Sequence, residues 1–379
     1  MSSEQQKLSG LMQNKAYAQE TIQSIAMTAY ETIDAPMRKS EIPDDKEMLR
    51  TAAELTRDIS EARPDIYWPD MLISAVVGYA ALAGAILSEN TLIAIASGFV
   101  SFVALYRALL FIHEITHLHR NALPGFRTVW NVIVGIPMLT PSLMYEQVHT
   151  IHHSRMRYGT PEDPEYLPLA LMKPWSLPAF VLVALLAPVG LLIRWGILAP
   201  LGLIIPPLRK WSWERVSSLS INPDFRRKPP ETQEQHRWFL WQQVGASIWA
   251  VFLLTTPLWL GLKPLLVAMA VASTVATFNQ LRTLVAHLWE NDGERMSVTA
   301  QYLDSVNVPG VIAGFWAPVG LRYHATHHLL PSLPYHSLHE AHKRISASLG
   351  AGSTYQGAVH KGMIPLVAKI AKSTMGKRG

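Results

Sequence analysis

What most limits how this chain can fold is the near-absence of charge from residues 71–112, 176–207 and 244–283, which together carry only Glu89, Arg107, Arg194, Lys263 and Arg282. Over the whole chain 16% of residues are charged, against roughly 25% in soluble domains, and the deficit lies in these three stretches. A helix of ~20 apolar residues crosses a ~30 Å hydrocarbon core. Residues 71–88 and 91–112 have that length and are separated only by Glu89 and Asn90, so they read as a tight helical hairpin. Residues 244–262 and 264–283 repeat the arrangement around Lys263. The middle stretch contains Pro178, Pro188, Pro200, Pro206 and Pro207. A proline inside a helix removes a hydrogen bond and clashes with the preceding turn, so 176–207 is expected to break into pieces too short to span. A broken hairpin fits, and an interfacial, re-entrant element fits better. The expected fold class is therefore all-α: an integral membrane protein with two transmembrane helical hairpins, a broken interfacial segment and a cytoplasmic histidine-rich cap.

Each hairpin returns the chain to its starting side. Of the 33 Lys and Arg residues, 30 then fall on one side, in segments 1–69, 113–175, 208–243 and 282–379. Positive residues stay cytoplasmic, which places both termini there; in a prokaryote the membrane is the inner one. The chain divides into a polar N-terminal region at 1–69, without a secretory signal, a membrane domain at 70–345 and a basic tail at 346–379. A helix is expected within Asp44–Glu61. The tail, with Met363, Ile364, Leu366, Val367 and Ile370 among its lysines, suits either an anionic leaflet or solvent. The absence of cysteine excludes disulfides, thiolate metal sites and cysteine nucleophiles. Nothing suggests a nucleic-acid partner.

Fifteen histidines remain, and most of them cluster. They occur as His113-Glu-Ile-Thr-His117-Leu-His119, as His149-Thr-Ile-His152-His153, as His287 alone, and as His324-Ala-Thr-His327-His328. Positions i, i+3 and i+4 lie on one face of a helix, so each box presents imidazoles to a common centre. His113, His117, His287 and the two triplets supply nine donors. A tetrahedral zinc site takes four, so nine suit two ions. Imidazole binds iron, copper, zinc and nickel, and spacing leaves the metal open. His119 lies at i+2 from His117 and faces away. His236 and His360 read as solvated, and His336, His339 and His342 as one face of a surface helix. His113-Glu114-Ile115-Thr116-His117 also matches H-E-x-x-H, the pattern of a membrane zinc metalloprotease with Glu114 as general base. That reading requires a further ligand and leaves both triplets and His287 unused.

The boxes H-x-x-x-H, H-x-x-H-H and H-x-x-H-H, with 36 residues from His113 to His149 and 171 from His153 to His324 around a membrane hairpin, resemble those of the membrane fatty acid desaturase and hydroxylase superfamily. The segments Gly159–Glu165 and His328–Pro334 fit as well, and the resemblance covers about residues 70–345. It implies a di-iron centre held by His113, His117, His149, His152, His153, His287, His324, His327 and His328. It also implies O2 as co-substrate and an oxidoreductase that removes hydrogen from an unactivated C–H bond of a fatty acyl or other lipid chain drawn from the bilayer. Loss of a second, vicinal hydrogen gives a double bond, the outcome expected first; delivery of oxygen gives an alcohol, and oxidative decarboxylation a terminal alkene.

Three features depart from particular branches of that superfamily. The first box has three intervening residues, whereas acyl-CoA desaturases of animals and yeast have four. Thr283 stands where those enzymes carry an asparagine that holds a metal-bound water, and Asn279 is the nearest asparagine. No fused heme-binding domain is present, so a separate ferredoxin or cytochrome is the expected electron donor. Glu114, Glu146, Glu162, Asp163, Glu290, Asp292 and Asp304 are the acids near the boxes. Some could accept from ligand imidazoles, though exposed salt bridges are their commoner fate, and none is assigned a catalytic role.

Overall fold

The computed structural model describes residues 38–119 and 121–376; residues 1–37 of the polar N-terminal region and 377–379 of the tail lie outside the described residues. Helices follow in the order α1 (Lys46–Leu55), α2 (Pro64–Leu87), α3 (Thr91–His117), α4 (Phe126–Trp130), α5 (Glu146–His152), α6 (Ser176–Ile204) and α7 (Pro206–Val216). Then come α8 (Gln233–Leu260), α9 (Leu262–Leu284), α10 (Val298–Asp304), α11 (His324–Leu329), α12 (Leu338–Leu349) and α13 (Met363–Gly376). The described residues form no strand, only three isolated bridges.

Five helices, α2, α3, α6, α8 and α9, are long and apolar enough to cross a membrane. Their outward faces keep large apolar side chains exposed, among them Ile73, Val76, Leu92, Ile95, Leu182, Leu203 and Leu258. Apolar exposure along whole helices suits lipid rather than water. The turn between α2 and α3 is set by Asn90, whose Oδ1 accepts from the backbone N–H groups of Leu92 and Ile93 at 2.9 and 3.2 Å. This cap satisfies two of the four donors that a helix start leaves unpaired. The two helices touch at Gly78, where an added Cβ would lie 2.6 Å from Leu105 Cδ2. In the second pair, α8 and α9 meet at Gly261, whose φ of 73° favours glycine. Lys263 Nζ donates to Ser88 O at 2.8 Å, so the two tips are tied together.

The middle stretch departs from expectation. Ser176–Ile204 is one continuous helix of 29 residues, long and apolar enough to span, and not a series of short pieces. Pro178 sits in its first turn, where a missing N–H costs nothing. Around Arg194–Leu198 the helix widens into a π-turn, which accommodates the following Pro200 because the hydrogen-bond ladder has already shifted register. Only Pro206, at the first position of α7, ends it, with Ile205 extended before it. Arg194 is buried: it stacks on Trp195 at 4.3 Å and donates to Ser217 Oγ from Nε and Nη2 at 3.1 and 2.8 Å.

Above the helices, α1 buries Met48 and Ala52 in a cluster with Tyr302, Tyr323, Ala341 and Ile345, which joins the N-terminal region to α10 and α12. Asp45 caps α1 by accepting from Met48 N at 3.0 Å. The tail is not solvated throughout. In α13, Leu366, Ile370 and Thr374 are buried, and Thr374 Oγ1 donates to Leu169 O at 3.3 Å. A second tie runs from cap to bundle through Asp70, which pairs with Arg107 inside the α2–α3 hairpin and accepts from Tyr335 OH at 2.7 Å.

Candidate metal centre

The site is built where helix ends converge. Helix α3 carries His113 and His117 one turn apart on its last two turns and stops at Leu118, which is extended. Helix α5 is held at its start by two buried amides. Asn131 Oδ1 accepts from Ser142 N and Gln242 Oε1 from Leu143 N, both at 2.8 Å. It presents His149, His152 and its C-terminal neighbour His153. His287 follows α9 on a segment bridged to Ser305. Leu288 N donates to Asp304 O at 2.7 Å, and the next residue, Trp289, has φ 61°. A bulky residue in that region is strained and persists only where its surroundings hold it; here Trp289 is fully buried and its Nε1 donates to Leu284 O. Helix α11 is locked by Asn307, which accepts from Thr326 N and donates to Thr326 Oγ1, each at 3.0 Å.

The fold gathers the eight imidazoles of the boxes and His287 into two groups. One comprises His113, His117, His149, His153 and His327, and the other His152, His287, His324 and His328; within each, one nitrogen per residue lies within 4.8 Å of every other. Nε2–Nε2 separations are 3.0 Å for His149–His153, 3.1 Å for His117–His327 and 3.2 Å for His153–His327 in the first group. In the second they are 3.1 Å for His287–His324 and 3.2 Å for His324–His328. The groups adjoin, with the His153 and His328 rings stacked at 4.3 Å. The partition follows one rule in both triplets: the imidazoles at i and i+4 join one group and the imidazole at i+3 joins the other. On a helix i+4 lies about 40° to one side of i and i+3 about 60° to the other, so a triplet straddles the gap between two centres.

Carboxylates and hydroxyls fix the rings from behind. His152 Nδ1 lies 2.9 Å from Asp163 Oδ2, and His149 Nδ1 2.6 Å from Glu165 Oε2 and 2.9 Å from Tyr145 OH. Asp163 is itself fixed by accepting from Gly159 N and Glu165 N at 2.8 and 2.9 Å. His287 Nδ1 lies 2.8 Å from Tyr158 OH, and Tyr158 and Tyr166 both donate to Asp304 Oδ2 at 3.0 Å. A ring whose Nδ1–H is engaged in this way turns a bare Nε2 lone pair to the centre. Burial holds His149, His153, His287, His324, His327 and His328 well below the usual imidazole range. His152 is the exception: burial pulls it down, but the Asp163 and Glu165 carboxylates outweigh burial and raise it. Burial lifts Glu165 to about 7 and also raises Asp304. The result is a buried, all-nitrogen donor set, mostly neutral, in two clusters of the size that two ions require. The His113 nitrogens, buried without a hydrogen-bond partner among the described residues, are consistent with the same use.

These shifts carry a pH dependence for the metal-free protein. The six depressed imidazoles titrate near 6.5 when unfolded, so below that pH the unfolded chain binds more protons than the folded one and stability falls as pH drops. His152, Glu165 and Asp304 act in the opposite sense but are outnumbered. Chelated protein in detergent is therefore expected to melt at a lower temperature at about pH 5.5 than at about pH 7.5; a higher midpoint at the acid pH would contradict the neutral-imidazole description.

The remaining sequence candidates lie outside both groups. His119 is exposed. His336 accepts from Arg63 N at 3.2 Å, and His339 pairs with Tyr323 OH. His342, expected on a surface face, is buried with Nδ1 3.0 Å from Tyr355 OH. His360, expected to be solvated, has a buried Nε2 and is pushed down to about 4 by burial. Glu114 does not serve an H-E-x-x-H protease site: its carboxylate accepts from Tyr67 OH at 2.6 Å and Tyr335 N at 3.1 Å, and five imidazoles, not two, surround the first box. Glu146 accepts from Ser142 Oγ and Trp238 Nε1, Glu162 pairs with Arg157 and Glu290 with Lys39, and Asp292 is exposed. Glu165, Tyr145 and Tyr158 were missed as supports, although Tyr145 and Tyr158 lie within five residues of the second box and Glu165 twelve beyond it.

A profile of the family "Fatty acid desaturase" matches residues 89–358. The chain is 43% identical over 341 residues to a ceramide hydroxylase of Caulobacter vibrioides (strain NA1000 / CB15N), a match that covers 88% of this chain and 95% of that protein.

Proposed function

Because the chain belongs to the fatty acid desaturase family, we propose that this integral membrane oxidoreductase hydroxylates an aliphatic chain of a ceramide-like lipid, using O2 and two irons. The observation that carries the oxidative chemistry is the pair of adjoining imidazole groups. His113, His117, His149, His153 and His327 would hold one iron, and His152, His287, His324 and His328 the other. Bound there, the two irons supply the activation of O2 that opens an unactivated C–H bond to oxidation. Every other contribution comes from the chain. Asp163, Glu165 and Tyr158 keep Nδ1–H engaged and Nε2 bare, and burial keeps water from the reacting carbon. The apolar helices allow a lipid to reach the site without crossing water. Alcohol rather than alkene formation rests on the 43% identity to a hydroxylase across nearly its whole length; the family name favours the double bond as the second reading.

The protein holds no cysteine and so no cysteine-ligated cluster of its own, and a separate ferredoxin or cytochrome is the proposed electron source. Both termini are proposed to face the cytoplasm. Iron-loaded protein, an electron donor, isotopically labelled O2 and a ceramide are expected to give a lipid one labelled oxygen heavier. Loss of two hydrogens would select the desaturase reading. No change in the lipid, or sustained turnover with the donor omitted, would sink the proposal.

A further inference from the structure

Four arginines mark the bundle and its edge, and their treatment differs. Arg107 is neutralised by Asp70. Arg194 and Arg227 stack on aromatic rings. Arg282, on the last turn of α9 five residues before His287, is 8% exposed and forms no ion pair among the described residues. Its Nη2 donates to the neutral Asn279 Oδ1 at 3.0 Å, and its Nε is buried without a partner. Buried charges are ordinarily paired, because desolvating a guanidinium without a counter-charge is costly. This one lies near the metal centre: from the last turn of α9, which carries it, the chain runs directly to His287 of the four-imidazole group. It also borders the Tyr106 hydroxyl. One turn toward the membrane, Phe278 packs edge-on against Phe102 and Tyr106, with ring centres 5.2 and 5.3 Å apart. A cationic donor with spare hydrogen-bonding capacity therefore stands between the imidazoles and an aromatic wall at the α3–α9 contact.

We propose that Arg282 binds the polar end of the lipid substrate, donating to an oxygen acceptor there, and so directs oxidation to the first few carbons from that end. The inference rests on the reading of the site as a lipid oxidase. An amide carbonyl or hydroxyl of a ceramide and the carboxylate of a free fatty acid offer the same acceptor chemistry. In either case the polar oxygen is anchored beside His287, so a mid-chain carbon lies too far from the imidazole groups to react. Arg282 is thus a residue that touches substrate and selects the carbon, with no part in holding metal.

The test measures binding first, on iron-loaded protein in detergent without an electron donor. The probes are a short-chain ceramide, a fatty acid and a hydrocarbon of equal chain length. Wild type, Arg282→Lys and Arg282→Gln are compared, with iron content and melting temperature recorded for each. Arg282→Gln is expected to keep its iron and to lose about 10- to 100-fold in affinity for the oxygen-bearing lipid, the range for one charge-assisted hydrogen bond. Hydrocarbon binding should not change, and Arg282→Lys, which keeps a cationic donor, should fall between. A loss confined to the fatty acid would support the role of Arg282 and replace ceramide as the substrate class. An equal loss for all three lipids, no loss for any, or loss of iron in both variants would overturn the proposal. With a donor added, wild type should place oxygen near the polar end and Arg282→Lys should spread it along the chain; mid-chain oxidation by wild type would also overturn it.

Discussion

Replacing His152 by Ala should leave no measurable turnover and reduce bound iron to about one ion per chain or fewer. His152 is the second box's contribution to the four-imidazole group, and without it three donors remain. It is also the imidazole that faces Asp163, a fully buried carboxylate. Removing one partner of a buried, hydrogen-bonded pair typically costs about 3–5 kcal/mol, so the metal-free variant should also melt earlier than metal-free wild type. His327→Ala probes the other group. Its Nε2 lies 3.1 Å from that of His117 and 3.2 Å from that of His153, so all three boxes meet at this residue. Iron per chain by plasma emission spectrometry and product by mass spectrometry decide the matter together. Undiminished iron and turnover in both variants would refute the ligand assignment.

Asp163→Ala should weaken iron binding by about 10- to 100-fold, the usual effect of removing the group that orients a ligand imidazole. The carboxylate touches no expected metal position; it acts by holding His152 Nδ1 while accepting from Gly159 N and Glu165 N. Its loss strands two buried amides and frees the ring to rotate, so both affinity and melting temperature should fall. Asp163→Asn separates the two effects. It keeps an acceptor of similar shape and should recover most of the stability while still weakening the metal, because the charge that raises His152 is gone. Iron affinity by competition with a chelator is the measurement. Equal affinity in all three proteins would show that the His152–Asp163 contact does not tune the centre.

Eight of the nine imidazoles could be named from sequence because their signal is local: i, i+3 and i+4 spacings on a helix survive any tertiary arrangement, whereas His287 stands alone. The partition between two groups was in principle legible too, since the 40° and 60° offsets follow from helix geometry alone. What was not legible depends on contacts between distant segments. Asp163 stood among several acids near the boxes and Glu165 was not singled out at all; only the turn at Gly159, with φ 69°, aims both back at His152 and His149. His342 and His360 look like surface residues in sequence and become half-buried or buried because Tyr355 and Asn307 pack over them. Ser176–Ile204 was misjudged because each proline was counted as a break. Its position relative to the first turn and to the π-turn at Arg194 decides whether the ladder recovers. Arg282 carried no signal at all, since an arginine at the end of an apolar helix is ordinarily a solvated anchor.

The interleaving of the triplets has a consequence for the chain as a polymer. His117 and His327, 210 residues apart, and His153 and His327, 174 apart, come together at one point, while His152, His287 and His328 meet at the next. An ion held at either point closes long loops of an otherwise open chain, and closing long loops removes conformational entropy from the unfolded ensemble. With an ion at each point, a protein without a single cysteine would acquire two cross-links of its own, broken by a chelator rather than a reductant. They join the helix ends at the face opposite the clasp that Lys263 and Ser88 make between the hairpin tips.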